Sequence, residues 1–562
     1  MIWQSSRNRN WLSGLLRVFS ITGVLAYVII FCCENHALAQ IIPDRTLGDR
    51  SSRITPNVNI KGSVGDRIDG GAIRGANLFH SFQEFNVGQL QRVYFANPTG
   101  ISNILTRVTG SKVSNILGTL GVDGSANLFF LNPNGIIFGQ NARLDVSGSF
   151  IATTANSFVF GNGLEFSATN PQTPSALLTV NPSALFFNQL QAGSIENRSI
   201  APAGIDPSGL KASGLRVPNG KSLLLVGGNV SMDGGNLNAY GGRVELGGLA
   251  APGNVNLLFN RDNLSLKFPL NVTRADISLT NKAGVFVTGA GGGNIAINAR
   301  NIDILGVSGL YAGIGVGLGT PKSVAGDITL NATGEIKIAG FGSMIDNFVE
   351  QEAKGKGGNI TIDSGDFSLQ DGAQLEALTD GQGNAGNVTV SAKNAVDLAF
   401  GFIVSFVDFG GVGKGGNIDI NAANLSLTDS AQLEALTSGQ GNTGNVTVSA
   451  KNAVDLAGNS YIFSRVQAGG VGKAGNIDIN ATSLSLTDGA QLSASTFGQG
   501  NAGNVTVSAK NAVDLAGNSY IFSRVQAGGV DKAGNIDINA TSLSLTDGAQ
   551  LSASTFGQGN AG

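Results

Sequence analysis

From about residue 355 to the end of the chain, apolar and polar residues alternate one by one. Around residue 480, Ile477 and Ile479, then Leu484 and Leu486, then Leu492 and Ala494 fall on one side, while Asp478, Ser485, Thr487 and Ser493 fall on the other. A period of two marks short strands with a single buried face. Between these runs, Thr487-Asp488-Gly489 and Gly498-Gln499-Gly500-Asn501 supply residues that accept the left-handed backbone of tight corners. The spacing predicts three strands and three corners in each unit.

The units recur. Gly-Asn followed by Ile or Val opens them at Gly358, Gly386, Gly416, Gly444, Gly475, Gly503 and Gly534, at spacings of 28, 30, 28, 31, 28 and 31 residues. Residues 445–503 and 504–562 are one 59-residue text written twice, differing only where Gly472 becomes Asp531. A fixed period of this size signals a solenoid, whose coils bury their apolar sides only by stacking. The unit fits one turn of a parallel β-helix with a rise of about 4.8 Å. Phe463 and Phe522 are then expected two coils, or about 10 Å, apart. Such a chain offers a long repeated surface.

Before residue 270 the repeat fades, but short β-branched and aromatic runs persist between Gly, Asn and Pro, as in Val93-Tyr94-Phe95-Ala96 and Leu128-Phe129-Phe130-Leu131. This stretch reads as the start of the same β-helix, with extra elements that cap the open edge of its first coil. No linker divides the chain, so one continuous rod is expected. The organisation read from the sequence is a signal peptide at 1–39, an N-terminal domain at 40–270, irregular coils at 271–354 and repetitive coils at 355–562. Gly562 falls on the first residue of the next expected unit, which reads as a fragment of a longer protein.

Composition agrees with turns and polar-covered strands: Gly reaches 82 of 562 residues and charged residues only 13%, well away from ordinary usage in both cases. Disorder is the competing reading, but alternation has no purpose in a disordered tract. Arg7, Arg9 and Arg17, an apolar run from Val18 to Cys33 and the small residues Ala37-Leu38-Ala39 before Gln40 predict an export signal cleaved between Ala39 and Gln40. The run is shorter than the ~20 residues of a spanning helix. Cleavage removes Cys32 and Cys33, hence every thiol, and leaves His80 as the remaining histidine. It also removes three arginines and Glu34, which moves the net charge from −3 to −5. No basic patch points to nucleic acid.

Asn132-Pro133-Asn134-Gly135-Ile136, behind an export signal and a β-rich segment, resembles the NPNGI motif of the two-partner secretion (haemagglutination activity) domain in filamentous-haemagglutinin-like exoproteins. Residues Phe79–Val87 and Asn97–Gly110 are similar to other parts of that domain. The second family motif, NPNL, is represented by Asn97-Pro98-Thr99-Gly100, which departs from it. The resemblance implies an all-β, right-handed parallel β-helix with an N-terminal cap. It also implies recognition by an outer-membrane β-barrel transporter with periplasmic POTRA domains, and export through the periplasm to the surface or surroundings of a Gram-negative-type bacterium. A cysteine-free chain suits that route, since it carries no crosslink into a narrow barrel.

Each candidate site has a plain structural reading beside the functional one. Asn132–Gly135 reads as a β-turn, and transporter recognition acts through the same turn. His80, among Phe79, Phe82 and Phe85, reads as packing; nucleophilic catalysis with Ser81 and metal binding both lack partners. Asp371, Asp429, Asp488 and Asp547 share one repeat position, as do Asp397, Asp455 and Asp514, and Asp419, Asp478 and Asp537. Their recurrence predicts turn structure at corners, not a catalytic carboxylate pair. Gly470-Val471-Gly472-Lys473 lacks the aspartate of a calcium-binding nonapeptide. Asn359, Asn387, Asn417, Asn445, Asn476, Asn504 and Asn535 are expected to form a buried amide ladder, with glycan binding by exposed rows of Asn, Thr and Ser as the other reading. Phe400, Phe402, Phe406 and Phe409 read either as a thicker core in one coil or as an exposed adhesive patch.

The reading is a non-enzymatic, adhesin-like exoprotein without cofactor or metal, whose partners are the transporter and, beyond it, glycans or proteins of host or neighbouring cells. Two alternatives stay open. One is a carbohydrate-active β-helix enzyme, which requires an acidic cluster that breaks the repeat, and none is visible in the sequence. The other is the stalk of a contact-dependent toxin.

Overall fold

The computed structural model describes residues 40–260 and 263–562; the expected signal peptide and Ala39 lie outside them. Strands follow one another through the described residues, and the helical geometry present is a single 3₁₀ turn at Gly48–Arg50. No helix among them is long and apolar enough to cross a membrane.

The chain winds into a parallel β-helix with three long sheets, one along each side of the coils. The repeat unit shows why. Strands Ile477–Ala481, Ser483–Leu486 and Gln491–Thr496 form one coil, and the six aliphatic residues expected inside are each at most 1% exposed. Each strand pairs in parallel with its counterpart one unit on: Ile477 faces Val505, Leu484 faces Val513 and Leu492 faces Ile521. Phe463 faces Ser493, which faces Phe522, so the two rings sit two coils apart as expected. One continuous core runs through the interior, from Ile68 to Ile521.

Two devices hold neighbouring coils at strand spacing. The glycine of each Gly-Asn pair lies against the coil before it: a Cβ on Gly416 would overlap the carbonyl oxygen of Gly386, and one on Gly444 that of Gly416. The asparagine forms the expected ladder, with a different construction. Its side-chain oxygen accepts the backbone N–H of the next asparagine, at 2.8 Å from Asn417 to Asn387 and 2.9 Å from Asn445 to Asn417. The ladder is not buried: Asn359, Asn387, Asn417 and Asn445 are exposed. It satisfies donors at an outer corner, where water competes.

The first coils differ. Strands Ile41–Pro43 and Ala72–Arg74 run antiparallel along Asn77–Phe85 and cover the open edge of the first sheet. A hairpin of Ser52–Ile60 and Ser63–Gly70 covers the edge of the strand Arg92–Ala96, with its second strand pairing in parallel. A separate five-stranded sheet, built from residues 157–187 and 253–267, lies on the outer face of the first sheet. It creates a second core with Phe79, Leu105, Phe129, Phe158, Phe160 and Leu224. Strand Asn127–Leu131 is therefore covered on both faces, with Leu128 and Phe130 in the interior and Phe129 and Leu131 under the added sheet. Its unbroken apolar run has that cause.

Candidate functional site

Asn132–Ile136 leaves the strand Asn127–Leu131 as a β-turn, closed by Gly135 N–H donating to Asn132 O at 3.2 Å. Asn132 is fully buried. Its amide donates to Lys112 O at 3.0 Å and Ser114 Oγ at 2.9 Å, and its side-chain oxygen accepts the backbone N–H of Asn134 at 3.0 Å. Pro133 is buried, and its carbonyl accepts the N–H of Gly193, which packs too tightly against the turn to carry a side chain. Gly135 takes φ +130°, and Ile136 enters the second sheet between Ser114 and Ile195. Asn134 alone is exposed, donating to Gly110 O at 2.8 Å.

The second candidate faces outward. Pro98, Thr99 and Gly100 are exposed in a turn closed by Ile101 N–H to Pro98 O at 3.2 Å, with Gly100 at φ +86° as a type II turn requires. Asn97 anchors it, donating to Ile101 O at 3.1 Å and accepting Ala126 N–H at 2.9 Å. Gln40, the expected first mature residue, is exposed, and its carbonyl accepts Asn86 N–H at 3.1 Å.

Between these turns and the cap lies a polar network that the sequence did not disclose. Arg107, fully buried, donates to Ser81 Oγ at 2.9 Å, Ser167 O at 2.9 Å, Thr46 Oγ1 at 2.7 Å and Gln172 O at 2.9 Å. Burial lowers its pKa to about 10, and Asp44 opposes that drop. Burial raises the Asp44 carboxyl, but hydrogen bonds from Thr46, Ser81 and Thr109 outweigh it and leave the group below its usual range. The network ties the N-terminal segment, the first sheet and the added sheet together. His80 is buried against Phe82 and Phe95, with Nδ1 3.0 Å from Ser52 Oγ and no partner for Nε2. Burial lowers its pKa to about 3, and Asp69 opposes this. That is a packed, neutral imidazole.

Three expectations change. Asp371, Asp429, Asp488 and Asp547 do occupy left-handed corners, at φ +51° to +57°. Asp397, Asp455, Asp514, Asp419, Asp478 and Asp537 instead lie within strands, on outer faces. The phenylalanines of the stretch 400–409 do not thicken the core: Phe400 and Phe409 are exposed, and Phe402 and Phe406 stand half-buried on the outer face. An acidic cluster that breaks the repeat does exist. Asp346 faces Glu376 across adjacent coils of the third sheet, and Glu350 lies within electrostatic reach of Asp346 and Asp380. Burial raises Asp346 well above the carboxylate range, with Glu376 and Glu350 adding to the rise. Local sequence hides the cluster because its two halves, Asp346 with Glu350 and Glu376 with Asp380, are 30 residues apart; the shared position of Asp346 and Glu376 in successive strands was the available signal. Among the described residues, no three His, Cys, Asp or Glu side chains are placed to hold a metal ion.

Residues 39–297 match the family model of the TPS secretion domain. A heme/hemopexin-binding protein of Haemophilus influenzae (strain Rd) is 35% identical over 82 residues, 15% of this chain and 9% of that protein. A second heme/hemopexin-binding protein of Haemophilus influenzae is 28% identical over 132 residues, 23% of this chain and 13% of that one. The matches thus span about a tenth of these relatives. Among solved structures, the HMW1 secretion domain of Haemophilus influenzae aligns with a TM-score of 0.44 at 16% identity, over 92% of this chain and all of that one. A filamentous hemagglutinin secretion domain aligns with a TM-score of 0.22 at 14% identity, over 93% of this chain and 99% of that one. A TPS domain marks exoproteins, not an enzyme family; an outer-membrane transporter recognises it, and the exoproteins are secreted across the outer membrane of Gram-negative bacteria. Residues 39–297 are thereby identified as a TPS secretion domain, the part of the chain that carries the resemblance to two-partner secretion exoproteins.

Proposed function

We propose that the chain is an adhesin-like exoprotein whose coils beyond the secretion domain form a binding rod for surface glycans. The observation that carries this reading is a groove of about 920 Å³ running across successive coils of the repeats. One edge alternates Ser391, Asn421, Ser449, Asn480 and Ser508; the floor is alanine, and Lys393, Lys451 and Lys510 recur on every second coil. Small floors with rows of hydroxyl, amide and ammonium donors suit an extended polyhydroxylated chain lying along the rod. Sedimentation of the purified secreted protein with insoluble polysaccharides tests it. Binding that weakens in the triple variant Lys393→Ala, Lys451→Ala, Lys510→Ala is expected, and indifference to that variant would remove the groove from consideration.

For export, the exposed Asn134, Pro98 and Thr99 are the side chains a transporter can reach, whereas Asn132 acts through the turn it braces. Replacing Asn134 with alanine is expected to lower secretion while leaving the purified fold intact; Asn132→Ala is expected to lower both. Haem or hemopexin binding, named for the relatives, gains no support from His80, whose imidazole is sealed in the core.

A further inference from the structure

Hairpin Pro202–Ile205 and Lys211–Ser213 leaves the coil and folds back over the outer face of the third sheet. Arg216 holds it there, donating to Ala203 O at 2.8 Å and Ile205 O at 2.7 Å while its guanidinium lies 4.9 Å from the centre of the Tyr240 ring. At the tip, Ser208 comes so close to Gly315 that a Cβ on that glycine would overlap its hydroxyl. Under the hairpin is a cleft of about 300 Å³, at the lower end of the range for small-molecule sites.

The lining of this cleft combines two chemistries. Tyr240, Phe286 and Tyr311 supply aromatic rings, the last two parallel at 4.8 Å between centroids on neighbouring coils. Asp206, Asp346 and Glu350 supply carboxyl groups, against Lys211 as the one basic side chain of the lining. Asp346 follows Tyr311 in the same outward column and is followed by Glu376. Its Oδ1 is buried and has no hydrogen-bond partner. A buried carboxyl oxygen without a donor, beside a like group and facing a cavity, asks for a donor from outside. The faces of the rings attract cations as well.

We propose that this cleft binds an organic ammonium group, carried either by a free polyamine or by a lysine side chain of a peptide. The same geometry disfavours a metal, since no three of these carboxyl groups converge on one point. It also disfavours glycoside hydrolysis. Asp346 and Glu376 project side by side from adjacent strands of one face, whereas hydrolysis needs carboxyl groups flanking the scissile bond.

Calorimetric titration of the full secreted chain with spermidine, and separately with a short lysine-containing peptide, tests the proposal. One site per chain is expected for at least one probe, weakened tenfold or more by Asp346→Asn and by Tyr311→Leu, and unchanged by Asp397→Asn on the second sheet. Binding by spermidine alone identifies a polyamine site; binding by both assigns the shared ammonium. Several weak sites indifferent to Asp346→Asn, or full displacement by millimolar calcium, would overturn it. Asp346→Asn replaces a buried carboxyl whose ionisation the fold already opposes with a neutral group of the same shape, so its melting temperature should not fall, which separates lost binding from lost folding. The readout is independent of glycan binding to the repeats.

Discussion

The first coils and the last coils share one winding rule and differ in what holds them. In the repeats, residues bond to the coil before and the coil after, through one interior core and the Gly-Asn corner. In the secretion domain the same sheet is covered on both sides, and groups far apart in sequence converge: Thr46, Ser81, Ser167 and Gln172 all meet at Arg107. Regular stacking therefore suffices for length, while the start of a rod needs long-range contacts that close its edge. Stability in the first region is concentrated in a few residues, and in the second it is spread over many equal ones.

Arg107→Ala probes the concentrated side. It leaves Asp44 without its neighbouring cation and four acceptors without their donor, so a loss of about 3–5 kcal/mol is expected, read as early melting of the cap in hydrogen exchange while the repeats stay protected. Acid sharpens the contrast next. His80 is held neutral by burial, with a folded pKa near 3; the unfolded chain takes up a proton near pH 6.5 that the folded one refuses. The cap is therefore fully stable above that pH and loses stability progressively as pH falls toward 3. Asp346, Glu376 and Glu434 are shifted the other way, first by burial. Their contribution is present below the ordinary carboxylate range and lost as pH rises through the raised folded values. Protection factors, taken relative to the intrinsic exchange rate at each pH, should fall in the cap and rise around the third sheet between pH 7 and pH 4.

Gly416→Ala probes the distributed side. Its Cβ would push adjacent coils apart at a cost of about 1–3 kcal/mol, confined to the neighbouring coils by the same exchange measurement. Asn417→Ala removes one exposed rung of the ladder and should cost no more than about 0.5–1 kcal/mol in a denaturant titration. A large effect from that substitution would mean that the ladder is cooperative and that the repeats, too, have key residues.

What could be read beforehand follows the same division. Strand positions such as Ile477, Leu484 and Leu492 were legible because alternation is local and repeated. The outward core at Phe129 was not, because a strand covered on both faces shows a continuous apolar run that does not say what covers its second face. Asn417 was placed correctly in a ladder but on the wrong side of the surface, since sequence spacing gives the column and not its exposure. The cluster at Asp346 and the cleft under the 202–213 hairpin were illegible for a third reason. They arise where an irregular insertion meets a column of residues one coil apart, and neither partner has an unusual neighbourhood in sequence.

The identity of residues 445–503 and 504–562 has one more consequence. The two blocks differ only at Gly472 and Asp531, so a further copy stacked on the second would meet the same side chains that the second meets on the first, and a whole 59-residue block can be gained or lost with almost no side chain facing a stranger. The reach of the molecule can then change in increments of two coils, about 10 Å each, while the secretion domain at the opposite end stays untouched. Length becomes an inherited quantity that varies by counting, with no new packing to invent.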